Sequence, residues 1–322
     1  MKNIDKDYLK KKQIMDILAK TVKKILEEEH FQGRKLQEVR LRTDKPLVVI
    51  YDNKECVLPS KTEKKYLVSK DEVRETLDYI SHYSLYAYEE ELSQGFITIE
   101  GGHRVGTAGK VILENGKIKN LQYISSLNIR MTHEIKGCAD RVMKYITENG
   151  KVCHTLIVSP PRCGKTTLIR DIIRQISDGN EYVKGCTVGV VDERSEIGGC
   201  YQGVAQNDLG MRTDILDCCP KSEGLLMLIR SMAPEVIAVD EIGTIQDVHS
   251  VEYAMQCGCK MIASVHGRDM EEIYDKPVIG DLVKKHRFER YIVLKNQEHP
   301  GEVAAIYGER GNLLCSDLWE AY

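Results

Sequence analysis

Residues 154–167 read His154-Thr-Leu-Ile-Val-Ser159-Pro160-Pro161-Arg162-Cys163-Gly164-Lys165-Thr166-Thr167. An apolar run enters a short loop that closes on Gly-Lys-Thr. After it, Leu168, Ile169, Ile172, Ile173 and Ile176 recur at helical spacing. Strand, loop and helix are the setting in which Gly-Lys-Thr binds phosphate, because the loop N–H groups and the helix N-terminus surround the β-phosphate. Gly164 lets the backbone approach closely, Lys165 brings charge to the β- and γ-phosphates, and the Thr166 hydroxyl ligates Mg2+. The usual pattern opens with Gly; here that position is Ser159, and Pro160 and Pro161 stiffen the loop. Residues 159–167 are therefore the expected nucleotide contacts, with ATP and Mg2+ as the cofactors.

Downstream, Val188-Gly-Val-Val, Val236-Ile-Ala-Val and Met261-Ile-Ala-Ser-Val are short apolar runs of the kind a parallel sheet buries on both faces. Strand and helix alternate from about residue 151, which predicts a doubly wound α/β domain. Residues 291–294, 302–306 and 312–315 are expected to close it. In such sheets ligands bind at the carboxyl ends of the strands. Three of these ends carry chemistry. Asp240-Glu241 reads as a Walker B pair, one carboxylate for the Mg2+ shell and the other to polarise the attacking water. Asp192-Glu193-Arg194-Ser195-Glu196 is a second acidic end, and Ser264-Val-His266-Gly267 a third.

Upstream, Ile14, Ile17, Leu18, Val22, Ile25 and Leu26 predict one helix over 5–30, stopped at Gly33. Strands are expected at 36–42, 47–51, 95–100 and 103–112. Ser69-Lys-Asp-Glu72 is a capping box, with Val68 and Val73 at the staple positions. A second helical stretch runs to about Leu92. These elements make a small mixed α+β unit, and no internal repeat or low-complexity linker is visible. The expected division is a helix over 1–34, a small domain over 35–145 and an ATPase domain over 146–322.

Composition narrows the class. Of the 322 residues, 42% are apolar and 30% charged, which suits a globular chain. Lys and Arg total 46 against 49 Asp and Glu, so no global basic field points to nucleic acid. Arg40, Arg42, Lys45, Arg104, Lys110, Lys117 and Lys119 could form a local basic strip, the basis for an alternative reading as a nucleic-acid-stimulated ATPase. A third reading is a nucleotide-gated scaffold with little hydrolysis, against which the carboxylate of Glu241 weighs. No stretch approaches the roughly 18–20 apolar residues that cross a bilayer, and no apolar segment follows the Lys-rich N-terminus, so a cytoplasmic chain is expected. The eleven cysteines show no paired Cys-x-x-Cys units, and reduced thiols are the expected state.

Taken in order, these elements resemble the secretion ATPases of type II and type IV systems and the pilus retraction motors. Leu228-Ile-Arg-Ser-Met-Ala-Pro-Glu-Val-Ile-Ala-Val-Asp-Glu-Ile is similar to the family's segment around its catalytic glutamate, which implies that role for Glu241 and leaves the metal to Asp240 with Thr166. Met255-Gln-Cys-Gly-Cys-Lys-Met-Ile-Ala-Ser-Val-His resembles the His-box strand and implies a sensor role for His266. Residues 191–196 resemble the Asp box, with Glu193 at its main acidic position. Val39-Arg-Leu-Arg, Pro46-Leu-Val-Val and Phe96-Ile-Thr-Ile resemble the PAS-like N-terminal domain, where Arg104 and Arg130 match arginines that reach a neighbouring subunit's nucleotide. The ATPase domain is then RecA-like, and ATP is expected between the two domains.

The strings Val-Asp-Glu-Arg-Ser-Glu-Ile-Gly-Gly and Gly-Gly-His-Arg-Val-Gly-Thr-Ala-Gly are similar to a sporulation branch of that family. That likeness implies the motor of a secretion-like channel from mother cell to forespore. It would be a homo-hexamer peripheral to the inner face of the membrane, coupled to membrane proteins of the channel, with Mg-ATP turnover driving domain motion and no nucleic acid involved. The chain departs from the secretion ATPases in three places: Asp240 replaces a Gly, Gly243-Thr244 stands where Arg-Asp is usual, and the four-cysteine insert is missing.

Overall fold

In the computed structural model, which describes residues 2–29, 35–59, 64–295 and 301–316, the chain divides into two units. The first comprises residues up to His133 with Gly199–Tyr201, and the second comprises the remainder from Glu134.

The first unit contains α1 (Lys2–Asp16), α2 (Lys20–Glu28), β1 (Leu36–Arg42), β2 (Val48–Tyr51), β3 (Lys54–Val57), α3 (Lys70–Ile80), α4 (Glu89–Ser93), β4 (Phe96–Ile99), β5 (His103–Glu114) and β6 (Lys117–Arg130). Its strands pair antiparallel in the order β3-β2-β1-β6-β5-β4. Side chains alternate along each strand. Val39, Leu41, Ile97, Ile99, Val105, Leu127 and Ile129 join Ile14, Val22, Leu26, Val73 and Leu77 of the helices in one core. The N-terminal helices thus share a core with the small domain instead of standing apart as residues 1–34.

The single helix expected over 5–30 is two helices. Ala19 between them is extended (φ −49°, ψ 140°), and its N–H donates to Thr76 Oγ1 at 3.0 Å. That break turns the apolar stripe so that both helices reach the core. The expected stop at Gly33 lies outside the described residues. The capping box forms as read: Glu72 N–H donates to Ser69 Oγ at 3.2 Å, and Ser69 N–H donates to Glu72 Oε2 at 2.8 Å. The hydroxyls of Thr21 and Tyr66 donate to the same carboxylate, which ties α2 to the start of α3.

The second unit contains α5 (Asp140–Ile146), a small hairpin of β7 (Thr147–Glu148) and β8 (Lys151–Val152), β9 (Thr155–Ser159), α6 (Lys165–Asp178), β10 (Val188–Asp192), β11 (Thr213–Asp217), α7 (Lys221–Ser231), β12 (Val236–Glu241), α8 (Ile245–Gln256), β13 (Lys260–His266), α9 (Met270–Asp275), α10 (Gly280–Lys284), β14 (Arg290–Leu294), β15 (Val303–Gly308) and β16 (Leu313–Ser316). The sheet order is β11-β10-β12-β13-β9-β14-β15-β16. The first six strands run parallel, and β15 and β16 close the edge antiparallel.

Ile157, Val190, Ala238, Ile262 and Ile292 face α5 and α6. Leu156, Val191, Ile237, Val239 and Ala263 face α7 and α8. The doubly wound α/β fold expected from the apolar runs is therefore present. Val142, Met143 and Ile146 of α5 lie in the core of this sheet, which moves the division ahead of the 145/146 expected from sequence. β9 is central, flanked by β13 and β14. The chain leaves it towards one edge and returns to its other side, so the loop between β9 and α6 opens at the topological switch point.

His103 offers a test of the first core. It is fully buried; its Nδ1 accepts from Thr132 N–H at 3.1 Å, and its Nε2 has no hydrogen-bond partner among the described residues. Burial, and then the charge of Lys10, pushes its pKa down from 6.5 to about 3. The unfolded chain therefore binds a proton that the folded chain refuses. This contribution to stability is whole above pH 6.5 and is lost as the pH falls below it. Chemical denaturation from pH 7 to pH 4 is expected to show His103→Asn losing stability less steeply than wild type, by up to about 1.4 kcal/mol per pH unit.

Candidate nucleotide site

The loop between β9 and α6 has two left-handed residues, Arg162 (φ 64°) and Gly164 (φ 84°). Only glycine takes that conformation freely, and Gly164 does so at the N-cap of α6. Lys165 is the first residue of the helix, and Thr166 and Thr167 are half-buried behind it. Cys163 is buried and its carbonyl accepts from Gly301 N–H at 2.7 Å, while Pro161 and Arg162 are exposed. Ser159 and Pro160 are buried, and the Ser159 hydroxyl donates to the Pro160 carbonyl at 2.8 Å.

Four of the sequence-derived residues converge. Lys165 is only 9% exposed, and its Nζ lies 3.5 Å from Glu241 Oε2 and 3.8 Å from Asp240 Oδ1. His266 Nε2 is 3.1 Å from the same Glu241 oxygen, and its Nδ1 is 3.4 Å from the Ser159 carbonyl. Both imidazole nitrogens face oxygens, so the ring can donate to both only as imidazolium. The Ser264 hydroxyl donates to the Asp240 carbonyl and fixes the end of β12 against β13. Burial raises the Asp240 pKa, against the pull of Lys165. Its Oδ1 is buried with no hydrogen-bond partner among the described residues, a hard oxygen of the kind Mg2+ takes.

Glu193 lies apart from this group. It follows β10 and pairs with Lys221, the first residue of α7. Glu193, Lys221, Asp240, Glu241, Gly243 and Thr244 line one cavity of about 320 Å³. The residue before it, Asp192, is fully buried and accepts from the N–H groups of Glu196, Ile197 and Gly198 at 2.8–2.9 Å. Arg170 of α6 is also buried and donates to the carbonyls of Glu196 (2.8 Å) and Ile197 (2.9 Å). The acidic segment after β10 is thus fastened by its amides to one strand end and by its carbonyls to α6. Arg170 and Lys221 were not singled out from sequence. Arg170 stands off the apolar stripe of α6, on the side of Asp171 and Arg174, where a charge reads as a solvated face; the fold buries that side too, and nothing in the sequence marks it. Lys221 follows a proline and is equally unmarked.

Gly243 and Thr244 lead into α8, with Thr244 as its N-cap. Asp247 N–H donates to Thr244 Oγ1 at 3.1 Å, and Asp247 Oδ2 accepts from Gly243 N–H at 3.0 Å and Thr244 N–H at 2.9 Å. Arg104 and Arg130 lie in the first unit as cross-strand partners on β5 and β6. The Arg104 guanidinium sits 3.5 Å over the Phe96 ring, and Arg130 pairs with Glu38 at 3.3 Å.

Asp192→Asn removes an acceptor from one of the three N–H groups. The variant is expected to be destabilised by about 1–3 kcal/mol in urea titration, with the segment 193–198 showing faster amide exchange.

Comparison with known proteins gives the family and the fold. The family model for "Sporulation stage III, protein AA" matches residues 8–314. Stage III sporulation protein AA of Bacillus subtilis (strain 168) is 40% identical over 303 residues, covering 94% of this chain and 96% of the relative. Protein SEEDLING PLASTID DEVELOPMENT 1 of Arabidopsis thaliana is 29% identical over 51% of this chain and 23% of its own. Among solved structures, the Yersinia pseudotuberculosis ATPase DotB superposes with a TM-score of 0.56 at 15% identity, covering 92% of this chain and 78% of its own. The pilus retraction motor PilT, solved with bound ADP, gives 0.54 at 15% identity over 85% and 76%. At these identities the structural likeness concerns the fold alone. The chain belongs to the sporulation stage III protein AA family.

Proposed function

We propose that this chain is a Mg2+-dependent ATPase that drives a secretion-like channel during sporulation. The observation that carries the reading is a buried lysine at the head of the phosphate-loop helix, bracketed by Asp240 and Glu241 with His266 on the second carboxylate. Lys165 and the N–H groups of residues 162–166 would hold the β- and γ-phosphates. Asp240 and Thr166 would hold Mg2+, which supplies charge neutralisation at the phosphates when bound. Glu241 would accept a proton from the attacking water. His266, bonded to Glu241 at one nitrogen and to the Ser159 carbonyl at the other, would report the state of that carboxylate to the end of β9.

The chain would work as a homo-hexamer at the inner face of the membrane, with membrane proteins of the channel as partners. Family membership and the secretion-ATPase fold support this assignment. Among the described residues no helix is long and apolar enough to cross a membrane, so contact with the channel would run through those partners. Arg104 and Arg130 would each reach a neighbouring subunit's nucleotide. An arginine supplied in trans contributes about 10³–10⁵ in rate, so turnover per chain should depend on assembly.

ATP turnover by the purified protein tests this. The rate per chain is expected to climb with protein concentration and to vanish in Lys165→Ala. Glu241→Gln should keep nucleotide binding while losing about 10²–10⁴ in kcat. A rate that stays flat with concentration would contradict shared sites, and a rate indifferent to Lys165→Ala would contradict the ATPase itself.

A further inference from the structure

Lys221 is placed where physical chemistry disfavours a lysine. Its side chain is 8% exposed, and it opens α7, whose N-terminal end carries the positive pole of the helix dipole. A cation there costs both desolvation and dipole repulsion. Its partner, Glu193, is 44% exposed and would be well solvated without it. An ion pair with one member in water contributes little to stability, so the fold gains little from this lysine.

The approach of α7 to β10 is nevertheless built in. A Cβ at Gly224, one turn after Lys221, would lie 2.6 Å from Val191 Cγ1 and 3.1 Å from Cys219 Sγ. Glycine at 224 lets α7 press on β10 just before Asp192 and Glu193, which brings the ammonium to the carboxylate. Asp192 and Arg170 fasten the other side of the same segment. The field of Lys221 also reaches Asp240 and favours its charged form.

We propose that Lys221 is a positioning residue for hydrolysis: its ammonium holds the Glu193 carboxylate at the cavity shared with Asp240 and Glu241, so that a second carboxylate orients the attacking water. The proposal rests on the ATPase reading above and adds to it a cation that no phosphate-loop motif contains. In the step, the water oxygen bonds to the γ-phosphorus as the bond to the ADP oxygen breaks. One water proton passes to Glu241, and the other O–H donates to Glu193.

Steady-state kinetics of K221M, K221R, E193Q and the K221M/E193Q double variant test it. K221M is expected to lose about tenfold or more in kcat, with KM for ATP within about twofold of wild type, because orientation and not binding is lost. K221R should recover most of the rate. E193Q should fall by a similar factor, and the double variant should fall no further than E193Q, since the two act as one unit. The melting temperature of K221M should be at or above that of wild type.

Wild-type rate in K221M, a raised KM at unchanged kcat, or losses that multiply in the double variant would each overturn the proposal. A K221M chain that fails to fold would make the lysine structural and overturn it too. A wild-type chain without turnover would instead remove the ATPase reading on which it rests.

Discussion

A lysine ammonium that is nine-tenths buried has to be neutralised where it stands, and for Lys165 the neutralising groups come from another strand. Taking such a charge out of water costs several kcal/mol unless ion pairs and hydrogen bonds replace the solvent. Asp240 and Glu241 do so only because β12, β13 and β9 run parallel and end together. The apolar strands are buried on both faces, so their register leaves little freedom, and the polar ends meet at one edge. His266, at the end of the strand between them, closes the group by reaching Glu241 and the Ser159 carbonyl. The site follows from the packing of the sheet as much as from the residues in the loop.

The same edge gathers more negative than positive charge. Asp192, Glu193, Asp240 and Glu241 stand at the ends of β10 and β12, with Lys165 and Lys221 among them. Each carboxylate has its own solution: three amides for Asp192, Lys221 for Glu193, and Lys165 for Asp240 and Glu241. Lys165 satisfies its pair only loosely, at 3.5 and 3.8 Å, and Asp240 keeps a buried oxygen without a hydrogen bond among the described residues. Strongly acidic ground held at long range suits a site that takes a metal and a polyphosphate. Gly243 and Thr244 are spent on the cap of α8, which starts that helix directly after β12.

The doubly wound domain was legible because its strands are uninterrupted apolar runs and its helix carries a clear stripe. Asp240, Glu241 and His266 could be found because each stands at the end of a strand that reads as such a run, and Lys165 because it follows Gly164 in the short loop after one. The 14-residue β6 was not read from sequence: Lys117-Ile-Lys-Asn-Leu-Gln-Tyr-Ile-Ser-Ser alternates poorly, and most of it is exposed or half-buried, so no periodic signal marks it. The break at Ala19 depends on Thr76, far away in sequence, and no local pattern contains it. Lys221 and Arg170 escaped for a related reason. Their meaning lies in what the fold sets against them, a carboxylate after β10 and two carbonyls of the next segment.

The account stands on one claim, that Lys165, Asp240 and Glu241 form a Mg-nucleotide site. The direct measurement is ATP affinity by calorimetry, with and without Mg2+, for wild type and Asp240→Asn. The account predicts that Mg2+ tightens ATP binding to wild type and has little effect on the variant, which lacks the carboxylate charge. An equal Mg2+ effect in both proteins would contradict it.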